Sequence, residues 1–85
     1  MEKHEQFQQI LDEHHDWPCP YTFKFIVPAH RFDQFNELFS EFEMSTRTSR
    51  TGKYTSITME STMCSSTEVM SVYTKAAMIK GIISL

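Results

Sequence analysis

Three stretches of this 85-residue chain carry side chains that could do chemistry. The first is His14-His15-Asp16 with Cys19 just beyond, which brings imidazole, carboxylate and thiol together as in a zinc site or an activated thiol. Neighbouring histidines on a helix point about 100° apart, and no second cluster closes a coordination sphere, so no metal is expected. The two rings read instead as an exposed helix end that complements the helix dipole. Cys19 would need a base beside it to act as a nucleophile, and its flanking Pro18 and Pro20 read as a rigid structural turn. Cys64, close to a helix start, reads as a small buried filler.

The second stretch, Pro28-Ala29-His30-Arg31, offers an imidazole and a guanidinium on a loop and is the candidate ligand-binding segment. The third is Arg47, Arg50 and Lys53. Residues 44–59 hold these three cations and no acid, whereas residues 2–16 hold five acids and one lysine. Such a basic knob on an acidic chain either keeps an edge strand from aggregating or docks a partner.

The elements that position these residues follow from periodicity. Residues 2–14 read as an amphipathic helix with Phe7, Ile10, Leu11 and His14 on one face, ended by Trp17-Pro18-Cys19-Pro20. Whether that face folds back on the domain or serves as an interaction arm stays open. Tyr21, Phe23, Phe25 and Val27 alternate with Thr22, Lys24 and Ile26, the period of a half-buried strand. Pro28 stops this strand and starts a helix with the stripe Phe32, Phe35, Leu38, Phe39 and Phe42. Met44–Ser49 is a polar strand suited to a sheet edge. Thr51-Gly52 turns it into a second strand alternating Thr55, Ile57 and Met59 with Tyr54, Ser56 and Thr58. Ser65-Ser66-Thr67-Glu68 matches a capping box, and Val69, Val72, Tyr73, Ala76 and Ile79 form the apolar face of the helix that follows. Gly81 is the expected C-cap, and Ile82–Leu85 the terminal strand.

This order is β-α-β-β-α-β, an α+β ferredoxin-like sandwich: a four-stranded antiparallel sheet with two helices on one face, plus an N-terminal helix. Phe23, Phe25, Ile57 and Met59 should face the helices, leaving Thr22, Lys24, Ser56, Thr58 and Glu60 on the open side. A chain this short has room for one domain, so residues 1–16 are read as a helical extension and 17–85 as the domain. Seven Phe, three Tyr, one Trp and six Met supply the large side chains that a small core needs. The net charge of −3 gives no general attraction for nucleic acid or anionic membrane. Two cysteines 45 positions apart make neither a disulfide framework nor a metal or redox pair. No leader or membrane-span pattern stands out, so the expected location is cytoplasmic.

Other chemistries hosted by this topology fit less well. An anion cradle in the loop after the first strand needs glycine-freed N–H groups, and Pro28 removes one donor outright. Base stacking needs aromatics on the two central strands, whose open face offers Lys24 and Tyr54 among Thr and Ser. The terminal strand, apolar and at an edge, invites pairing through Ile82 and Ile83 with a second copy or another protein.

The runs Pro20-Tyr21-Thr22-Phe23-Lys24-Phe25-Ile26, Ser49-x-x-Gly52-x-Tyr54-x-Ser56-Ile57-Thr58, Glu68-Val69-x-x-Val72-Tyr73 and Ile82-Ile83-x-Leu85 resemble the YbeD-like proteins, a bacterial family of unknown function (domain-of-unknown-function family 493). The resemblance spans about residues 17–85. It implies a ferredoxin-like fold similar to the ACT regulatory domains, which bind amino acids near the loop after the first strand. It implies no catalytic residue and no cofactor. Pro28–Arg31 occupies that loop without the glycine that often assists binding there. The expectation is a non-catalytic regulatory or protein-interaction module, with a small metabolite as the ligand it would sense. Its contact surfaces would be Pro28, Ala29, His30 and Arg31, the cations Arg47, Arg50 and Lys53, and the edge at Ile82 and Ile83. The alternatives are a nucleic-acid-binding module using the hairpin and a small enzyme acting through Cys19 or His30.

Overall fold

The computed structural model describes residues 2–85, with side chains from Gln6 onward. Its elements are α1 (Glu2–His14), β1 (Cys19–Pro28), a single 3₁₀ turn (Ala29–Arg31), α2 (Phe32–Leu38), β2 (Met44–Thr48), β3 (Tyr54–Met63), α3 (Ser66–Ala76) and β4 (Ile83–Ser84). The strands form one antiparallel sheet in the order β2-β3-β1-β4. With two crossing helices on one side, this is the expected ferredoxin-like fold with an added N-terminal helix. The two strands with the strongest period-two patterns, β1 and β3, take the centre and pair along their whole length, from Cys19 opposite Met63 to Pro28 opposite Tyr54. The polar β2 and the short β4 take the edges.

Alternation decides which side of the sheet is covered. Phe23, Phe25 and Val27 of β1 and Thr55, Ile57 and Met59 of β3 are buried, and their neighbours along each strand are mostly exposed. Onto that face pack Phe35 of α2 and Val69, Val72 and Ala76 of α3, with Phe39 and Ile79 from the turns that follow these helices. Aromatic rings run through the centre. Phe25 lies 5.6 Å from Phe35 and 5.9 Å from Tyr73, and Phe23 lies 5.4 Å from Tyr73. Edge-on and tilted contacts of this kind add roughly 0.5–1.5 kcal/mol each beyond the area buried.

Helix ends follow local chemistry with two departures from the sequence reading. Ser65 caps α3, its Oγ accepting from Glu68 N–H at 3.2 Å, while the Glu68 carboxylate accepts from Cys64 N–H at 2.8 Å. The Phe stripe after Pro28 does not make one helix: a 3₁₀ turn comes first, α2 stops at Leu38, and Phe39 and Phe42 reach the core from turns. Gly81 is not the C-cap of α3. The helix stops at Ala76 with Ala77 as its cap, and Gly81 instead turns the chain into β4 at φ +85°.

The N-terminal helix folds back. Leu11 is buried, the Phe7 ring meets Tyr73 edge-on at 5.8 Å, and Gln8 Nε2 donates to Thr67 Oγ1 at 3.0 Å on α3. Ile10, 51 % exposed, and His14, exposed, stay at the rim of this contact.

Tyr73 sits where α1, α3 and β1 meet. Burial, then the Tyr21 hydroxyl 3.3 Å away, push its phenol well above the usual tyrosine range. Because the folded state holds this proton more tightly, the stabilisation is fully present below the unfolded tyrosine value of about 10 and is lost as pH rises beyond it. Urea melts between neutral pH and pH above about 10 should therefore show a stability decline that is smaller in Tyr73→Phe.

Candidate functional site

The two candidate stretches 28–31 and 47–53 meet at one end of the sheet. Pro28 closes the β1–β3 ladder opposite Tyr54, and the next residue, Ala29, donates its N–H to Lys53 O at 2.8 Å. The hairpin turn is locked by Ser49, whose N–H donates to Tyr54 O at 2.7 Å and whose Oγ accepts from Tyr54 N–H at 3.1 Å. Gly52 adopts φ +76°, the left-handed conformation that the turn requires, and donates its N–H to Ser49 O.

Tyr54, 46 % exposed, stands between two shallow grooves. One, of about 510 Å³, lies between the loop and the hairpin and is lined by Pro28, Ala29, His30, Gly52, Lys53 and Tyr54. The other, of about 420 Å³, opens on the uncovered sheet face, where Arg47, Arg50 and Tyr54 surround Ile26 and Ser56. Arg31, half-buried at the end of the 3₁₀ turn, lines neither groove. Flat aromatic surface, three cations and no carboxylate in either lining make this end suited to an anionic group. Neither Pro28, which has no N–H, nor Ala29, whose N–H is engaged, can donate to a ligand from the backbone.

The open face has the opposite character at its other end. Glu43 and Glu60 line a groove of about 330 Å³ with Thr22, Ser45 and Thr58, and Thr22 Oγ1 donates to Glu60 Oε2 at 3.3 Å. Between the two ends the central strands present Thr22, Lys24 and Ile26 beside Ser56, Thr58 and Glu60. Tyr54 is the face's aromatic, at its margin, so no stacking platform for bases forms among the described residues.

At the β4 edge, Ile83 pairs with Ile26 and is exposed, whereas Ile82 is half-buried against the core. Leu85 N–H donates to Lys24 O at 2.9 Å, extending the pairing by one bond.

Cys19 and His30 do not share a site: one begins β1 and the other follows its end, roughly 30 Å apart along an extended strand. Cys19 does have beside it the base that the sequence reading did not place there. His15 Nδ1 lies 3.3 Å from Cys19 Sγ, brought there by the turn after α1. The signal was the four-residue spacing between them across a proline-bounded helix end. Among the described residues no three His, Cys, Asp or Glu side chains converge as a metal site would require, and no helix is long and apolar enough to cross a membrane.

A family model described as "Protein of unknown function (DUF493)" matches residues 12–84. Curated proteins of Shewanella baltica strains OS155, OS185 and OS195, each named a UPF0250 protein, are 33 % identical over 79 residues, covering 85 % of this chain and 90 % of theirs. No solved structure matches the chain.

Proposed function

The chain belongs to the DUF493 family, whose description assigns no activity, and from that premise we propose that it is a small, non-catalytic protein-interaction module with a regulatory role. It docks an acidic segment of a partner protein at the hairpin end of the sheet. The observation that carries this reading is the convergence of Arg47, Arg50 and Lys53 around Tyr54, with loop Pro28–His30 alongside. Exposed aromatic and arginine side chains are the residue types that dominate binding surfaces. The edge at β4, with Ile83 outward, supports pairing with a second copy as a further contact. Both cysteines are free, which suits a reducing, cytoplasmic setting.

A second reading, sensing of a small metabolite between the loop and the hairpin, rests on that groove lying against Pro28–His30, the loop after β1 where the resemblance to ACT domains implies a ligand.

Chemical-shift mapping separates these readings. The probes are a short polyglutamate peptide, a panel of free amino acids and a single-stranded oligonucleotide. Polyglutamate should move the amide signals of Arg47, Arg50 and Tyr54, and Arg47→Glu with Arg50→Glu should weaken its binding about tenfold or more, some 1.4 kcal/mol. Hairpin signals that ignore the peptide overturn the docking role. Saturable shifts confined to residues 28–31 with an amino acid favour the metabolite reading, and tighter binding of the oligonucleotide favours nucleic acid.

A further inference from the structure

At the far end of β1 from that surface, Cys19 and His15 form a pair that the docking role does not use. Cys19 Sγ lies 3.3 Å from His15 Nδ1. The imidazole is held on two sides: it stacks on Trp17 at 5.3 Å and 26°, and it tilts against Tyr21 at 5.6 Å. Trp17 is itself tied to α1, its indole N–H donating to Asp12 Oδ1 at 2.9 Å. The sulfur's backbone is fixed as the first residue of β1, opposite Met63. Both Cys19 and His15 are half-buried, neither sealed in the core nor fully in solvent. A nucleophile within hydrogen-bond reach of a base that a third group orients is the arrangement that activates a thiol.

We propose that Cys19 is a modification site that undergoes thiol–disulfide exchange with low-molecular-weight disulfides, with His15 as its proton acceptor. The step uses the ring tautomer that has its proton on Nε2, which leaves Nδ1 to accept from the thiol. The Cys19 sulfur attacks one sulfur of the small disulfide, and its proton passes to Nδ1. A new S–S bond forms as the old one breaks, and the departing half takes the proton back from His15 and leaves as a thiol. Cys19 is oxidised to a mixed disulfide, the departing half is reduced, and the imidazole returns to its starting form.

The chain contains its own control. Cys64 is exposed and not the buried filler expected from the sequence, because it sits just outside the α3 cap, where its N–H donates to the Glu68 carboxylate. Accessibility alone therefore ranks Cys64 first, and the proposal ranks Cys19 first. Limiting dipyridyl disulfide at neutral pH, followed by peptide mass mapping over time, decides between them. Labelling of Cys19 should lead in the wild-type chain. In His15→Gln it should slow about tenfold. The Cys64 rate should not change. Loosening of the turn by the substitution would expose Cys19 and speed its labelling, so a slower rate reports the lost base. Cys64 labelled first in the wild-type chain, or an unchanged Cys19 rate in His15→Gln, overturns the proposal. The wild-type competition stands without any variant.

Discussion

Phe25→Ala is expected to cost about 3–5 kcal/mol, the usual range for emptying a buried phenylalanine site. The side chain is fully buried on the central strand and touches the core from three directions: Phe23 along the strand, Phe35 from α2 and Tyr73 from α3. Phe35 and Tyr73 sit on helices anchored elsewhere and Phe23 is held in the same ladder, so the site collapses poorly to fill the void. Domains of this size have about 5–15 kcal/mol of stability in all. The melting temperature should fall by roughly 15–30 °C. Calorimetry or a urea melt checks this, and an intact-like transition midpoint would contradict the central role given to β1. Phe7→Ala offers a contrast. That ring lies at the partly exposed α1–α3 seam, so its loss should cost well under half as much as Phe25.

The second large effect is expected at a backbone position. Gly81→Ala should cost about 2–3 kcal/mol, from two sources that act together. Its φ of +85° is unfavourable by about 1–2 kcal/mol for any residue with a Cβ. The new Cβ would also lie 2.9 Å from Pro28 Cγ, and the ring can yield only by changing its pucker. Gly52→Ala is the matched control: φ is +76°, but a Cβ there meets nothing within 4 Å, so only the dihedral cost of about 1–2 kcal/mol remains. Because Gly81 leads into β4, the damage should begin locally. Hydrogen exchange at the Leu85 amide, which donates to Lys24 O, should accelerate before global stability falls. Equal effects of the two glycine substitutions would show that the Pro28 contact is unimportant.

Sheet and helix order could be read from the chain because burial on one face writes itself into the sequence. The alternation Phe23-Lys24-Phe25-Ile26-Val27 places the odd residues inside, as the structure has them. The cap at Ser65 was equally visible, since its partner Glu68 is local. What escaped the reading depends on contacts that the linear order does not encode. The Phe stripe through Phe42 has helical spacing, but α2 ends at Leu38 and the last two rings reach the core from turns, which spacing alone cannot distinguish. Gly81 looked like a helix cap, yet its reason is Pro28, more than fifty positions away. The candidate surface was visible only as separate pieces: Pro28–His30 and Lys53 become one site through the Ala29–Lys53 hydrogen bond and the Tyr54 ring. His15 beside Cys19 needed the path of the turn after α1.

The split of the open face into a cationic end and an acidic end has a consequence for encounter kinetics. Tyr54 and Glu60 are six positions apart on one extended strand, so the poles lie roughly 20 Å apart. That is more than two Debye lengths at physiological ionic strength, about 8 Å each. In such salt each pole is felt only at close range. As salt is lowered the screening length grows past the separation, and the face acts as a dipole that exerts a torque on an approaching charged body. An acidic partner would then arrive with its orientation already chosen, although the chain's net charge of −3 repels it overall. Dilution of salt therefore pulls the association rate two ways, improving alignment while strengthening long-range repulsion.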